Sequence, residues 1–510
     1  MFHTVLHDIG VVIHATAPDD PMTDDRSAAE GRMAQRSTAG HFAAIDLGAT
    51  SGRVIRGIVS RDRIEQVEAS RFANRPVMLD GALHWDVLSL WRGAVDGLSH
   101  AVRDAPQLRS VAVDTWGVDY GLLRGGRLLA NPVHYRDART ADELERVHAA
   151  MPEAELYART GVEPLAINTI YQLAAEARSG LLDVAGTALL TPDLFSYWLS
   201  GVAVAEQTIA STTGLLSAVT GDWDDDVLAA LGLPRDLLAP IIRPGERIGA
   251  LRSDVAAQIG AANPIDVVAV GAHDTASAVV AVPMPTSGGA FISCGTWGLV
   301  GVERRAPVLT SQALAAGVTN ERGVDDRFLT MRNGMGLWIL SETQRCWEQE
   351  GESADIRTLL AEAEAVPADM PVFDVEDARF QPPGDMPSRI AAWCAEHGLP
   401  APVGRGAVVR SIIESLAQAF AEAVAEIGAL SGEPATQINV VGGGSRNELL
   451  CQRLADRSQL PVLAGPVEAT GLGSLLVQAR TAGVVDGTIE DLRDIVIRTF
   501  SPRLFQPRSL

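Results

Sequence analysis

Short apolar runs that end in small polar turns alternate along this chain with stretches of helical periodicity. FAAIDLG (42–48), SVAVDTWGVDY (110–120), DVVAVGAHD (266–274), GAFISCGTWGLVGV (289–302) and INVVGGG (438–444) predict strands, with amphipathic helices between several of them. That alternation predicts an α/β architecture. One pattern occurs twice, about 250 residues apart: Phe42 to Val59 and Ala290 to Glu303 both read as an apolar strand, a Gly-containing polar turn and a second apolar strand. The repeat predicts two similar halves, each opening with a turn whose backbone N–H groups face a shared cleft. The Pro-, Ser- and Gly-rich stretch from Pro283 to Gly289 marks the join, giving an N-terminal domain over 41–283 and a C-terminal domain over 284–491. Residues 1–40 lack apolar periodicity and predict a disordered extension. In the last stretch, 492–510, DIVIRTF is strand-like and a polar tail follows.

Length and charge narrow the classes of function. At roughly 100–200 residues per domain, 510 residues suit two large domains. Sixty-four acids against 42 bases leave a net charge of −22, which opposes nucleic acid and anionic membrane as partners. The first 15 residues lack the basic start of a signal peptide, and no run of about 18 apolar residues predicts a membrane span, so a cytoplasmic protein is expected. All 42 basic residues are arginine. Without lysine there is no Walker-type phosphate loop, no protein-kinase lysine and no pyridoxal Schiff base, so phosphate binding needs another device. Cys294, Cys346, Cys394 and Cys451 match neither a CxxC metal knuckle nor a compact disulfide framework, and are expected to be reduced thiols.

The strand ends carry the candidate chemistry. In the first turn, Asp46 is followed by Ala49, Thr50, Ser51, Gly52 and Arg53, where small residues and hydroxyls suit phosphate oxygens. Asp46 at the strand end can hold Mg²⁺, directly or through water; the plain alternative is a tight hairpin with a solvated aspartate. The second turn, Ser293 to Gly298, has the same economy, which lets a phosphate approach the amides of Gly295 and Thr296; the plain alternative is again a simple hairpin. Between the two turns, His273, Asp274 and Thr275 stand where a strand gives way to a small apolar helix, which Asp274 or Thr275 is expected to cap. An ionised carboxylate there suits phosphoryl transfer, which asks for positioning of the attacking hydroxyl and late proton removal. The alternatives are a plain capping aspartate and a packed core histidine. Gly442, Gly443 and Gly444 leave room for a flat base or ribose, and Ser445 with Glu448 fits a capping box for the helix that follows. Asp114 to Asp119 and His134 to Thr140 combine Trp, carboxylates and Arg in a way that suits a polyhydroxyl ligand; for Arg136 and Asp137 the plain alternative is a surface ion pair.

Taken together, DLGATSGR, DTWGVDYGLL, HYRDART, NTIYQL, TPDLFSYWLSG, HDTASAVVA, SCGTWGL, NGMGLW and VVGGGSRNELLCQRLAD followed by AGPVEATGLG resemble the FGGY carbohydrate kinases, over roughly His41 to Ala482. The resemblance implies two ribonuclease-H-like domains of the actin, hexokinase and Hsp70 ATPase type, closing over ATP and a ketose. It implies Asp274 as catalytic base, and ATP contacts at Ala49, Thr50, Ser51, Gly52, Arg53, Thr296 and Gly443, to which the reading of the second turn adds the Gly295 amide. Sugar contacts are implied at Gly117, His273, Thr275 and Asn333, and Asp46 would hold Mg²⁺ through water. The implied acceptor is the 1-hydroxyl of a ketose such as L-rhamnulose, with L-fuculose or a pentulose as alternatives. Ser341, Tyr120 and Gly298 depart from the residues usual in such kinases, and residues 1–40 have no counterpart. A reading of another class is an actin- or Hsp70-like nucleotide-dependent sensor without sugar transfer.

Overall fold

The structure, a computed structural model, describes residues 39–508 apart from Ala368. The expectation of a disordered extension falls almost wholly on residues 1–38, outside the described residues.

Two sheets organise the chain. The first contains β1 (Gly40–Leu47), β2 (Ser51–Val59), β3 (Ile64–Ala73), β4 (Leu108–Thr115), β5 (Arg247–Ala250) and β6 (Asp266–Val268), in the order β3-β2-β1-β4-β6-β5. The second contains β7 (Gly289–Cys294), β8 (Trp297–Arg304), β9 (Thr319–Arg322), β10 (Phe328–Met335), β11 (Gln437–Val441), β12 (Val462–Ala464) and β13 (Arg503–Phe505), in the order β9-β10-β8-β7-β11-β12-β13. In each sheet a long first strand pairs antiparallel with its hairpin partner on one side and parallel with a later strand on the other. The series β3-β2-β1-β4-β6 therefore repeats as β10-β8-β7-β11-β12, and the duplicated hairpins read in the sequence occupy the same place in the two halves.

Burial follows the strand chemistry. β1 is apolar almost throughout because it lies mid-sheet with both faces covered, whereas β3 carries Glu65, Glu68 and Arg71 because one of its faces meets water. Five helices matter for the site: α1 (Asp274–Val280), α2 (Arg405–Ser431), α3 (Glu448–Ser458), α4 (Ala469–Thr481) and α5 (Ile489–Phe500). Although α4 follows the second sheet in sequence, it packs on α1 and on the first sheet, where Gln478 Nε2 donates to the Ala43 carbonyl and Ser110 Oγ donates to Gln478 Oε1. Its apolar face shares one core with Phe42, Ile55, Phe291 and Val441, so strands of both sheets are tied together through it.

Three local expectations differ from the structure. DIVIRTF is helical, in α5, because Leu492, Ile495 and Val496 form one buried helical face and Thr488 with Asp491 makes a capping box at its start. The tail beyond it adds β13 to the edge of the second sheet, antiparallel to β12. At the triple glycine, Asn447 caps α3 by accepting from Leu450 N, while Ser445 Oγ donates to the Gly442 carbonyl; Ser445 therefore makes no capping box with Glu448.

Candidate active site

The site grows from strand ends that lie side by side. β1 and β4 pair in parallel with Asp46 opposite Asp114, and β1 pairs with β2 so that Asp46 also lies opposite Arg53. Thr115 N donates to the Ala272 carbonyl at 2.8 Å, which brings the segment leading into α1 alongside the end of β4. Asp46, Asp114 and Asp274 are thus gathered at one end of the first sheet.

Asp46 is buried, and Arg53 donates to its Oδ2 from Nε at 2.8 Å and from Nη2 at 2.6 Å. The same guanidinium reaches Glu468, the residue before α4, through Nη1. Burial pushes the Asp46 carboxyl up, Arg53 opposes this, and Asp274 and Glu468 add to it. Asp114 is fully buried, and its carboxylate oxygens have no hydrogen-bond partner among the described residues. Burial, with the charges of Asp46 and Asp274, holds Asp114 well above the usual carboxylate range.

Asp274 is the first residue of α1 and is half-buried; its Oδ1 lies 3.3 Å from His273 Nε2 and accepts from Thr275 Oγ1 at 3.1 Å. Neither Asp274 nor Thr275 caps the helix: His273 is the N-cap residue, and its own N–H donates to Thr208 Oγ1 at 3.2 Å. The Asp274 carboxylate is thereby left free for other work.

In the first turn Gly48 N–H donates to the Ser51 carbonyl at 2.9 Å, leaving Ala49 half-buried and Thr50 exposed at the tip. Gly52 continues into β2, where a Cβ would sit 2.3 Å from the Phe72 ring. The second turn is built alike: Gly295 N–H donates to the Trp297 carbonyl at 2.9 Å, closing the hairpin, and Gly295, Thr296 and Trp297 are all exposed there. The NGMGLW stretch braces the turn, with Leu337 N–H donating to the Gly295 carbonyl and Trp338 N–H to the Thr296 carbonyl. Gly442 and Gly444 press on Cys294, where a Cβ on Gly444 would lie 2.3 Å from the thiol sulfur; Gly443 between them is exposed. The triple glycine therefore sets Gly443 beside the second turn.

Just past the end of β4, Gly117 stands against Thr212, with its Cβ position 3.2 Å from Thr212 Oγ1. The next residue, Val118, has φ +69°, a conformation that is costly for a β-branched side chain. It is held there by Thr212 Oγ1, which accepts from its N–H, and by Thr169 Oγ1 and Gln172 Nε2, which donate to its carbonyl. Asp119 accepts from the indoles of Trp85 and Trp116 at Oδ2 and from Gln172 Nε2 at Oδ1, fixing both aromatic rings. Arg136 and Asp137 form no ion pair among the described residues: Asp137 binds the backbone N–H groups of Leu83 and Arg139, and Arg136 lies over the Tyr135 ring. Asn333 is exposed on β10, opposite Leu299, with no hydrogen bond to the acid group among the described residues.

Two buried acids escaped the sequence reading, and a third, Asp114, was read only as part of a ligand-facing segment, although VAVDT echoes AAIDL as an apolar strand ending in aspartate. Glu206 binds the amides of Thr208, Ile209 and Ala272, and so shapes the segment before His273. Glu321 lies 2.7 Å from His273 Nδ1.

Comparison with known proteins places this constellation. Residues 42–281 match the N-terminal domain and residues 290–482 the C-terminal domain of the FGGY family of carbohydrate kinases. The chain belongs to this family. It is an ATP-dependent carbohydrate kinase, which sets aside the sensor alternative. It is 37% identical over 473 residues to a rhamnulokinase from Bacteroides thetaiotaomicron, covering 92% of this chain and 96% of that protein. A rhamnulokinase from Pectobacterium atrosepticum is 39% identical over 476 residues, covering 92% and 93%. The fold matches crystal structures of a gluconate kinase from Lactobacillus acidophilus (TM-score 0.75, 15% identity, 92% and 94% covered) and of Plasmodium falciparum glycerol kinase with ADP (TM-score 0.74, 13% identity, 92% and 94% covered). This FGGY kinase thus has the two-domain α/β architecture of sugar kinases.

Proposed function

We propose that this kinase phosphorylates the 1-hydroxyl of L-rhamnulose, with Asp274 as the base. The observation that carries the reading is the place of Asp274, freed from capping at the start of α1, in a chain that shares 37–39% identity with rhamnulokinases over 92% of its length. The ketose O1 attacks the γ-phosphorus as its proton passes to Asp274. The bond from phosphorus to the β,γ-bridging oxygen breaks, and ADP leaves. The turn from Ala49 to Arg53, the Thr296 amide and Gly443 hold the nucleotide. Gly117, His273, Thr275 and Asn333 hold the sugar.

Magnesium belongs to the same proposal. Among the described residues no group of three or more His, Cys, Asp or Glu side chains is arranged to hold a metal alone, so phosphate and water must complete any shell. Asp46 fits that role, since Arg53 binds only its Oδ2 and leaves Oδ1 unused by that pair. A bound Mg²⁺ would neutralise polyphosphate charge. The reading includes a cytoplasmic location, supported by the absence, among the described residues, of any helix long and apolar enough to cross a membrane.

Sugar-dependent ADP release across L-rhamnulose, L-fuculose and the pentuloses tests the substrate. L-Rhamnulose is expected to lead in kcat/KM by roughly tenfold or more. No release with L-rhamnulose, alongside release with another ketose, overturns the assignment.

A further inference from the structure

Glu321 lies on β9, the edge strand of the second sheet, yet its carboxylate is buried beside the first half's catalytic segment. Its Oε2 comes within 2.7 Å of His273 Nδ1, while His273 Nε2 stands 3.3 Å from Asp274 Oδ1. The ring has a carboxylate oxygen near each nitrogen; these are ion-pair contacts, the one at Nδ1 without hydrogen-bond geometry, and a nearby negative charge on each side favours the charged, doubly protonated imidazole. Neither end of this bridge is loose. Arg322 N–H donates to Ser211 Oγ at 2.8 Å and Asn320 N–H to the Gly161 carbonyl at 2.8 Å, which docks β9 on the first half. On the ring's own side, His273 N–H binds Thr208 Oγ1 and Thr115 bridges to His273 from the end of β4.

We propose that Glu321 is a positioning residue for phosphoryl transfer: it holds His273 as an imidazolium, which fixes Asp274 Oδ1 and leaves Oδ2 to face the acceptor hydroxyl. The proposal rests on the reading of Asp274 as base. Thr275 Oγ1 donates to the same Oδ1, so both protein contacts fall on one oxygen. The charged groups acting on the ring are Asp274 on α1, Glu321 on β9 and Glu206, the residue before the short helix Gln207–Ala210. Burial pulls the imidazole down, but Glu321, Asp274 and Glu206 outweigh it and raise the ring to about 9. The base of the first half is thus oriented by a strand of the second, so catalysis requires β9 to stay docked.

In the full chain labelled at histidine nitrogen, the His273 signal, assigned by its loss in His273→Gln, should titrate near 9; a midpoint at or below 6.5 overturns the proposal without recourse to any Glu321 variant. Glu321→Gln, checked for folding by its unfolding midpoint and by ADP binding, should lower kcat at saturating ketose by about tenfold or more and leave the KM for ATP near the parent value. Its kcat should fall with rising pH between 6.5 and 9, where the parent holds steady, and Glu321→Asp should regain part of the loss. A Glu321→Gln enzyme with the parent's kcat throughout and an unmoved His273 midpoint overturns it. Asp274→Asn is measured alongside. If that variant keeps near-parent turnover, the base assignment itself fails, whereas an inactive Asp274→Asn with an unaltered Glu321→Gln removes only the role of Glu321.

Discussion

Arg53 on β2 joins Asp46 on β1 to Glu468 at the start of α4, so one guanidinium links the first hairpin turn to a helix that follows β12 of the second sheet. Asp46 is buried and, among the described residues, the charge on Arg53 is its only opposite partner, so removing the guanidinium leaves an uncompensated carboxylate. Arg53→Met is expected to cost about 3 kcal/mol, the low end for breaking a buried pair. Urea unfolding followed by tryptophan fluorescence measures it. Adding Asp46→Asn to Arg53→Met should restore part of the loss by removing the orphan charge. A single variant that unfolds at the parent's midpoint would show that the pair does not brace the turn.

Asp274→Asn separates chemistry from binding. The variant keeps the size and the α1 position of the side chain but cannot take a proton from the acceptor hydroxyl. Turnover should drop by about a hundredfold or more, the low end for general-base assistance. ADP affinity by calorimetry should stay near the parent value, because the proposed nucleotide contacts lie on the two turns and at Gly443.

The three glycines of the 442–444 run have different jobs, and alanine tells them apart. At Gly444 a Cβ would fall 2.3 Å from the Cys294 sulfur, so Gly444→Ala must push the second turn off the triple glycine and is expected to cost about 1–3 kcal/mol. At Gly443 a Cβ meets nothing closer than 3.9 Å, so Gly443→Ala should unfold like the parent but raise the KM for ATP by crowding the base or ribose. Thermal unfolding and initial rates on both variants decide. Equal destabilisation of the two, with no change in ATP KM for Gly443→Ala, would contradict the assignment.

How far the sequence carries can be judged from particular residues. The paired hairpins were legible because a strand, a glycine turn and a returning strand are local events, and their repetition announced two halves before any contact was known. The helix α5 was not, because Ile495, Val496 and Ile497 are consecutive β-branched residues and read as a strand, while the face that makes them helical exists only against the core. Asp274 was found by its position after a strand, yet its capping role was misjudged, since the N–H of His273 is satisfied by Thr208, sixty-five residues away in sequence. Glu321 sits in a polar TNER strand that gives no hint of His273, forty-eight residues earlier in the chain. Partners of that kind belong to the docking of two sheets and leave no periodic trace.

Glu206 gives the fold a pH dependence of definite sign. Burial raises its carboxyl to about 7, against the lowering effect of the Thr208 hydroxyl and the amides of Thr208, Ile209 and Ala272. The folded state therefore keeps a proton that the unfolded chain, at its ordinary value of 4.5, has already released. This contribution to stability is fully present below 4.5 and is lost as the pH rises through about 7. At about 1.4 kcal/mol per pKa unit, the change across that window is roughly 3 kcal/mol. Glu206→Gln has no proton to lose while its amide oxygen can still accept from the same backbone groups, so its stability should vary less between those limits. Urea midpoints of parent and variant at both ends of the window test this: the parent should lose more stability than the variant on going to the higher pH. Parallel curves would mean that Glu206 titrates at its ordinary value, and that its hold on the Ala272 amide does not depend on its proton.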